Sequence, residues 1–290
     1  MWLLEESSPE RLKRENFDLG ILLTNSFSSA WHFFRGRVKK RLGYKNDLRS
    51  WLLNLKVPLN KKTEHQFISY QRILKPLKFP FSFESPRLYL TQAEKDLSNQ
   101  KLLTLGYRPE KKLIAFSPFA AFGKAKCWPL KNYLALAQKL IEKKDVYVLF
   151  LGEKKFQPEL EQGLKTLEKN AEHQSLKKGL LTDGHFLNLV GQTTLRELMA
   201  LLNQADLLVA NDSGPMHLAA ALKKPLLALF GSTNPVLTGP FYSPQTEVIY
   251  KQFDCSPCYK RECEKEKFCL AEITIEEVFN KILEKIKTYV

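Results

Sequence analysis

The chain has no apolar run long enough to cross a membrane. Its longest, such as Val146-Tyr-Val-Leu-Phe-Leu151, fall far short of the roughly 20 residues that a helical span needs. No secretory leader is expected either. Met1-Trp-Leu-Leu-Glu-Glu6 turns acidic directly after its apolar residues, the wrong order for a signal peptide, so a cytoplasmic protein is expected. No G-x-G-x-x-G follows a strand, no P-loop occurs, and neither H-E-x-x-H nor G-x-S-x-G is present. Those absences argue against dinucleotide oxidoreductases, NTPases, zincins and hydrolases. There is no internal repeat and no low-complexity tract. What remains is an ordinary globular composition, 44% hydrophobic and 26% charged, in 290 residues, enough for two domains with separate cores.

The charge is less ordinary, at a formal +14. The densest basic block is Arg35, Arg37, Lys39, Lys40, Arg41, Lys45 and Arg49, with Asp47 the only acid inside it. Such a block suits an anionic partner, whether phosphorylated lipid, nucleic acid or a phosphate-bearing substrate. A solvated surface is the competing reading of the block and the better one for the scattered lysines elsewhere.

Residues 1 to about 90 show one clear strand, Leu19-Gly-Ile-Leu-Leu-Thr24, preceded by a short charged helix over Pro9 to Glu15. An aromatic and basic stretch follows. Pro76, Pro80 and Pro86 then mark a connector, because proline at that density prevents regular helix. From about Glu94 strands and helices alternate. The spacing predicts strands over 112–117, 145–151, 207–210 and 225–230, and helices over 130–143, 195–204, 216–222 and 275–289. Continuous apolar strands imply a parallel sheet covered on both faces. The expected fold class is therefore α/β, doubly wound, with ligands beyond the carboxyl ends of the strands.

Three constellations could carry chemistry. In the first, a buried strand ending at Ala210 turns through Asn211-Asp-Ser-Gly into a helix with Pro215 at its start. The free N–H groups and positive dipole end of that helix offer a site for a diphosphate. Asp212 or Ser213 can cap it, and His217 falls in its first turn; a plain capped helix with His217 packed on the sheet is the alternative. The second is Ser117-Pro-Phe-Ala-Ala-Phe-Gly-Lys-Ala-Lys-Cys-Trp-Pro129, where Lys124 or Lys126 can place an ammonium on a phosphate. Gly231-Ser-Thr-Asn-Pro235 is a further polar loop at the same sheet edge. The third is Cys255-x-x-Cys258 with Cys263 and Cys269, interleaved with Lys260, Arg261, Lys265 and Lys267. These four thiols permit a structural zinc, against free thiols with no metal; the compartment disfavours disulfides.

These motifs resemble the bacterial ADP-heptose:lipopolysaccharide heptosyltransferases of glycosyltransferase family 9, most closely those of the II type. The likeness lies in Asn25-Ser-Phe-Ser-Ser, Phe122-Gly-Lys-Ala-Lys-Cys-Trp-Pro, Asn211-Asp-Ser-Gly-Pro-Met-His and Cys255-Ser-Pro-Cys-Tyr-Lys-Arg-Glu-Cys, and in Ile273-Thr-Ile-Glu-Glu. It covers nearly the whole chain. The resemblance implies a GT-B architecture of two Rossmann-like doubly wound domains. Residues 1–93 are expected to be an acceptor-side domain with its connector, and 94–290 the nucleotide-sugar domain. By carry-over, Asp212 would meet the heptose hydroxyls or nearby groups, and Ser213, Gly214 and His217 would lie along the ADP diphosphate. Lys126 would neutralise the leaving phosphate, so that no cofactor is required. Asn25, Ser26 and His65 fall on the acceptor side.

The resemblance further implies transfer of heptose, with inversion, to a phosphorylated lipopolysaccharide core. That places the protein peripherally at the anionic inner face of the inner membrane, with no nucleic acid partner. Family members open on a strand and a Gly-Asp loop whose Asp is the general base. No such loop precedes Leu19 here, so the N-terminal domain is expected to be incomplete, with His65 the only substitute base. Two other functions compete: a nucleotide-sugar-binding remnant without catalysis, and a zinc-stabilised nucleic-acid binder suggested by the cysteines and the charge.

Overall fold

The computed structural model describes residues 8–46, 48–59, 64–169, 184–241, 243–265 and 269–288. Met1 to Glu6, Asp47, Lys267 and Tyr289, which enter the reading above, lie outside the described residues. The chain separates into two compact units, Met1–Glu84 and Ser85–Val290. The division falls inside the proline-rich passage, ahead of Pro86. Residues 85–93 go with the second unit for a visible reason: Leu88 N–H donates to Ala221 O (3.1 Å), and Tyr89 O accepts from Arg196 (3.2 Å).

The first unit runs α1 (Pro9–Glu15), β1 (Leu19–Leu22), α2 (Phe27–Arg35), β2 (Lys40–Lys45), β3 (Leu55–Pro58) and α3 (Gln66–Ile73). Its three strands pair in parallel in the order β1-β2-β3, with Leu19 opposite Lys40 and Leu42 opposite Leu55. The sequence shows only the first of them clearly. In β2 the buried residues Leu42, Gly43 and Tyr44 are contiguous but enclosed by Lys40, Arg41 and Lys45, so charge at both ends hides a short buried strand.

The second unit contains α4 (Gln92–Thr104), β4 (Leu113–Ser117), α5 (Leu130–Lys144), β5 (Tyr147–Phe150), α6 (Gln157–Lys169) and β6 (Phe186–Asn188). It continues with α7 (Leu195–Gln204), β7 (Leu207–Asn211), α8 (Gly214–Ala221), β8 (Leu226–Phe230), α9 (Pro235–Thr238), β9 (Thr246–Tyr250) and α10 (Ile275–Thr288). The sheet order is β6-β5-β4-β7-β8-β9, every pairing parallel.

β4, β7 and β8 are buried at every position, because side chains alternate between two covered faces. Ile114, Phe116, Val209 and Leu227 pack on one side with α5 and α10. Leu113, Ala115, Leu208 and Ala228 pack on the other with α4, α7 and α8. Each such side chain contributes about 1.5–3 kcal/mol on burial. Thr91 and Glu94 close a reciprocal cap on α4, as Thr194 and Glu197 do on α7, the T-x-x-E pattern that satisfies orphan helix-start N–H groups. Among the described residues no helix is long and apolar enough to cross a membrane.

Candidate functional site

Counted within the second unit, the strand order is 3-2-1-4-5-6, the doubly wound arrangement whose ligands sit where the order reverses. That point lies between β4 and β7, where Ser117 stands opposite Ala210. Three loops leave the sheet here, from β4, β7 and β8.

Asn211, the last residue of β7, is fully buried. Its Oδ1 accepts from Trp128 N–H (3.0 Å) and from the Tyr133 hydroxyl (3.1 Å), while its Nδ2 donates to Pro118 O (2.7 Å). One amide therefore bolts both ends of the β4 loop to the neighbouring strand. Trp128, fully buried, donates its ring N–H to Ile273 O at 2.9 Å, anchoring the start of α5. Burial pushes the Tyr133 phenol well above its ordinary pKa.

The next residue, Asp212, is the meeting point of the three loops. Its Oδ2 accepts from Lys126 Nζ (2.6 Å) on the β4 loop and from Thr233 Oγ1 (2.6 Å) on the β8 loop. All three are largely withdrawn from water, with the Lys126 side chain 14% and that of Asp212 6% exposed. Lys126 also lies 5.0 Å from the centre of the Phe122 ring, and the Arg261 guanidinium is 5.5 Å from the same centre. Arg261, exposed to solvent, is thus a second cation beside the ring that Lys126 touches.

The start of α8 differs from expectation. No side chain caps it: the Asp212 carboxylate is committed to Lys126 and Thr233, and the Ser213 hydroxyl donates to Asn211 O (3.1 Å) instead. Gly214 is exposed, with nothing within 4 Å of where a Cβ would project. The helix thus presents an end uncovered by side chains, toward which an anion is attracted. His217, in its first turn, is exposed rather than packed on the sheet.

Beside this end lies a cavity of about 420 Å³, large enough for a nucleoside. Ser213, Gly214, Leu198 and Leu218 line it together with Phe119, Phe156 and Glu153. The two phenyl rings stack at 4.7 Å and 4°. Glu153 follows the second strand of the wound order, a position from which a carboxylate reaches a ribose hydroxyl. Phe119 belongs to the Ser117–Pro129 loop that the sequence singles out, whereas Phe156, Leu198 and Glu153 did not stand out; the signal for Glu153 was its place just after the strand that ends in Gly152.

The cysteine segment serves these loops. Tyr259 N–H donates to Ser232 O (2.8 Å), Ser256 Oγ to Gly231 O (2.9 Å), and Ala125 N–H to Arg261 O (2.9 Å). Cys269 is buried, its Sγ 2.7 Å from where a Cβ on Gly231 would stand, and burial raises its thiol pKa. Cys255 and Cys258 are half-buried and Cys263 is exposed. Among the described residues no three His, Cys, Asp or Glu side chains are grouped to hold a metal. The segment is a clasp on the β4 and β8 loops.

In the first unit, Asn25 and Ser26 come together around Arg49. Its guanidinium donates to Asn25 Oδ1 (3.3 Å) and to the carbonyls of Thr24 (2.5 Å), Ser26 (3.3 Å) and Tyr44 (2.9 Å). Arg49 is 1% exposed, so it leaves the basic block as a structural brace. Arg41 does likewise, holding Leu52 O and Val38 O at 2.6 Å each. Ser26 caps α2 through a bond from Ser29 N–H, and His65 caps α3, its Nδ1 accepting from Phe67 N–H at 3.1 Å. His65 therefore holds a helix start, a task the sequence did not suggest.

Comparison with known proteins agrees with this architecture. The family described as Glycosyltransferase family 9 (heptosyltransferase) matches residues 7–269. The lipooligosaccharide heptosyltransferase 2 of Haemophilus ducreyi is 37% identical over 262 residues, 85% of this chain and 70% of that protein. The lipopolysaccharide heptosyltransferase 2 of Salmonella typhimurium is 34% identical over 79% of this chain and 64% of its own length. The chain thus spans about two thirds of the length of these relatives. The solved structure of E. coli ADP-heptose lps heptosyltransferase II matches with a TM-score of 0.74 and 27% identity, over 97% of this chain and 80% of that one. A glycosyl transferase family 9 structure from Veillonella parvula, 20% identical, shares the fold with a TM-score of 0.77 over 97% and 78% of the two chains. Two parallel α/β units of Rossmann type in one chain make the fold GT-B. The chain belongs to glycosyltransferase family 9, the heptosyltransferases.

Proposed function

We propose that this protein transfers heptose from ADP-heptose to the inner core of lipopolysaccharide, with inversion at the anomeric carbon. The observation that carries the reading is the Lys126–Asp212–Thr233 junction at the sheet's switch point, beside the uncovered start of α8. In this reading the adenosine enters the 420 Å³ cavity, with Glu153 toward the ribose. The diphosphate meets the Ser213-Gly214 end of α8, with His217 alongside. Asp212 orients the sugar hydroxyls. As the acceptor oxygen bonds to the anomeric carbon and its proton passes to water, the carbon–oxygen bond to ADP breaks. The charge that develops on the departing phosphate is stabilised by Lys126 and the helix end, both fixed in place before reaction.

The acceptor is a phosphorylated, lipid-anchored saccharide, and the protein works in the cytoplasm, peripherally at the anionic inner face of the inner membrane. The basic face of the first unit supports that placement. Incubation of the folded protein with ADP-heptose and heptose-acceptor lipopolysaccharide should release ADP in step with heptose incorporation. Calorimetric binding of ADP without turnover would instead give the non-catalytic nucleotide-sugar binder. Absence of nucleotide binding would reject both.

A further inference from the structure

α2 carries two apolar faces. One packs inward through Ala30 and Phe33 against Leu22, Leu52 and Leu53. The other is a stripe at i, i+4 and i+7, Phe27, Trp31 and Phe34, which meets Trp51 from the following loop. Trp31 stacks with Phe27 and Phe34, and Trp51 meets Trp31 and Phe34 edge-on, with centroids 5.7–6.3 Å apart. Phe27 is 45% exposed, Phe34 39%, Trp51 60%, and Leu48 on the same loop 79%. A contiguous exposed apolar patch on one helix face marks an interaction surface.

Cations flank it. The Arg35 guanidinium is 5.9 Å from the Trp31 ring centre and that of Arg41 is 5.5 Å from Phe34. Adjoining Phe34 is a concavity of about 620 Å³ lined by Lys13, Arg35, Arg37, Lys39 and Arg41, against a single acid, Glu10. Lys39 is paired with Asp18 (2.8 Å), and the Arg41 donors hold backbone carbonyls. Arg35, Arg37 and Lys40 are exposed.

We propose that this aromatic patch and its cationic flank form a membrane-docking surface. The rings and Leu48 enter the headgroup level of an anionic bilayer, and the concavity takes a lipid phosphate. Aromatic rings are favoured at that depth, and juxtaposed Lys and Arg supply the attraction to acidic lipids. A single-stranded nucleic acid would also use rings and cations, but it needs open ring faces on which bases stack. Here Phe27, Trp31 and Phe34 face one another, Arg35 and Arg41 lie over two of those rings, and Leu48 is aliphatic. The inference rests on the membrane placement proposed above; the surface belongs to the first unit, shares no residue with the donor site, and its test needs neither ADP-heptose nor acceptor.

The test is co-sedimentation of the full chain with phosphatidylcholine vesicles, with and without phosphatidylglycerol, at low salt. Binding to the mixed vesicles only is expected, with a blue shift of tryptophan emission. Trp51→Ser with Leu48→Ser, both highly exposed positions, should weaken partition about tenfold, as should Arg35→Glu with Arg37→Glu. Lys143→Glu with Lys165→Glu, the same charge change on the second unit, should leave it within about twofold. Circular dichroism verifies folding, and Phe34→Ser provides an independent aromatic variant. The proposal is overturned by no binding to anionic vesicles, by equal losses in the control pair, or by binding without an emission shift. Retention on single-stranded RNA or DNA at a salt concentration that abolishes vesicle binding would overturn it as well.

Discussion

Lys126 Nζ and Asp212 Oδ2 lie 2.6 Å apart at the reversal point of the sheet, and Thr233 donates to the same oxygen. Three loops from three strands therefore share one acceptor atom. The pair keeps the ammonium extended toward the start of α8 in the absence of ligand, so little reorganisation is needed when a diphosphate arrives. Lys126→Ala removes that fixed charge. It is expected to lower kcat by about 10²–10³, the usual loss on removing one preorganised donor from a developing anion. ADP release under saturating donor measures it, and an unchanged kcat would remove Lys126 from the chemistry.

Asn211 governs the same loop from beneath. Its side chain answers the Trp128 N–H, the Tyr133 hydroxyl and the Pro118 carbonyl. Asn211→Ala strands buried polar groups that cost about 1–3 kcal/mol each, so a loss of about 3 kcal/mol or more in urea denaturation is expected. Asn211→Asp, with two acceptors and no donor, should recover the Trp128 bond but not the Pro118 bond. If both variants unfold like the parent, the bolt is not structural.

Much of this unit was legible because burial and hydrogen bonding left marks in the residue order. Uninterrupted apolar runs such as Leu207-Leu-Val-Ala210 announce a strand covered on both sides, and Pro215 announces a helix start. Asp212 and Lys126 stood out as polar residues at strand ends, yet their partnership spans 86 positions and had no local trace. The loop that holds Thr233 and the Cys255–Cys263 segment stood out too, but what they bond to was hidden for the same reason. Their work is done by long-range backbone bonds such as Ala125 N–H to Arg261 O, which leave the identity of the residue free. The cysteine spacing left a metal and free thiols both open, and nothing in it announced that Cys269 fills a gap against Gly231. Charge misled in the first unit, where Lys40 and Lys45 masked β2.

Gly123 is where that clasp meets the Lys126 loop. Its φ is +153°, and a Cβ there would lie 2.3 Å from the Arg261 carbonyl oxygen. Backbone is on both sides of the contact, so neither can rotate away. Gly123→Ala should displace the Lys124–Lys126 turn, weakening ADP binding and slowing transfer together while the sheet stays folded. Calorimetry beside a thermal melt separates those effects, and full activity in a normally folded variant would show that the clasp does not position Lys126.

The helix pair α4 and α7 provides a pH signature. Glu94 accepts from Arg196 Nε (2.5 Å) and Nη2 (2.6 Å), and from Thr91 N–H (2.8 Å). The Arg196 bonds first, then those from Thr91, lower its pKa from 4.5 to about 2. A carboxylate whose pKa falls on folding contributes stability above its unfolded value and loses it as pH drops through the folded one. Stability should therefore decline modestly between pH 4.5 and about 2, and Glu94→Gln should flatten that part of the curve by giving up the same modest contribution near neutrality. Guanidinium midpoints at pH 7, 4.5 and 2.5 test it. A parent curve no steeper than the variant's would mean that the Arg196 contact is not retained in solution.

Arg49 separates a brace from a binding surface within one basic block. It is the only member of the block that is fully buried, and burial lowers its pKa. Even so, the guanidinium stays charged because arginine starts so high. Its fork reaches the ends of β1 and β2 at once, through Thr24 O and Tyr44 O, and a lysine ammonium has neither the reach nor the planar geometry to hold both. Arg49→Met leaves those carbonyls without a donor, and Arg49→Lys restores at most one. Both are expected to destabilise the first unit, by about 3 kcal/mol for the methionine variant, read from Trp31 and Trp51 fluorescence in urea. Arg37→Met, on the exposed flank, should change the midpoint by about 0.5 kcal/mol or less. ADP binding by the second unit should survive all three substitutions. Loss of nucleotide binding in Arg49→Met would instead mean that the two units do not unfold independently.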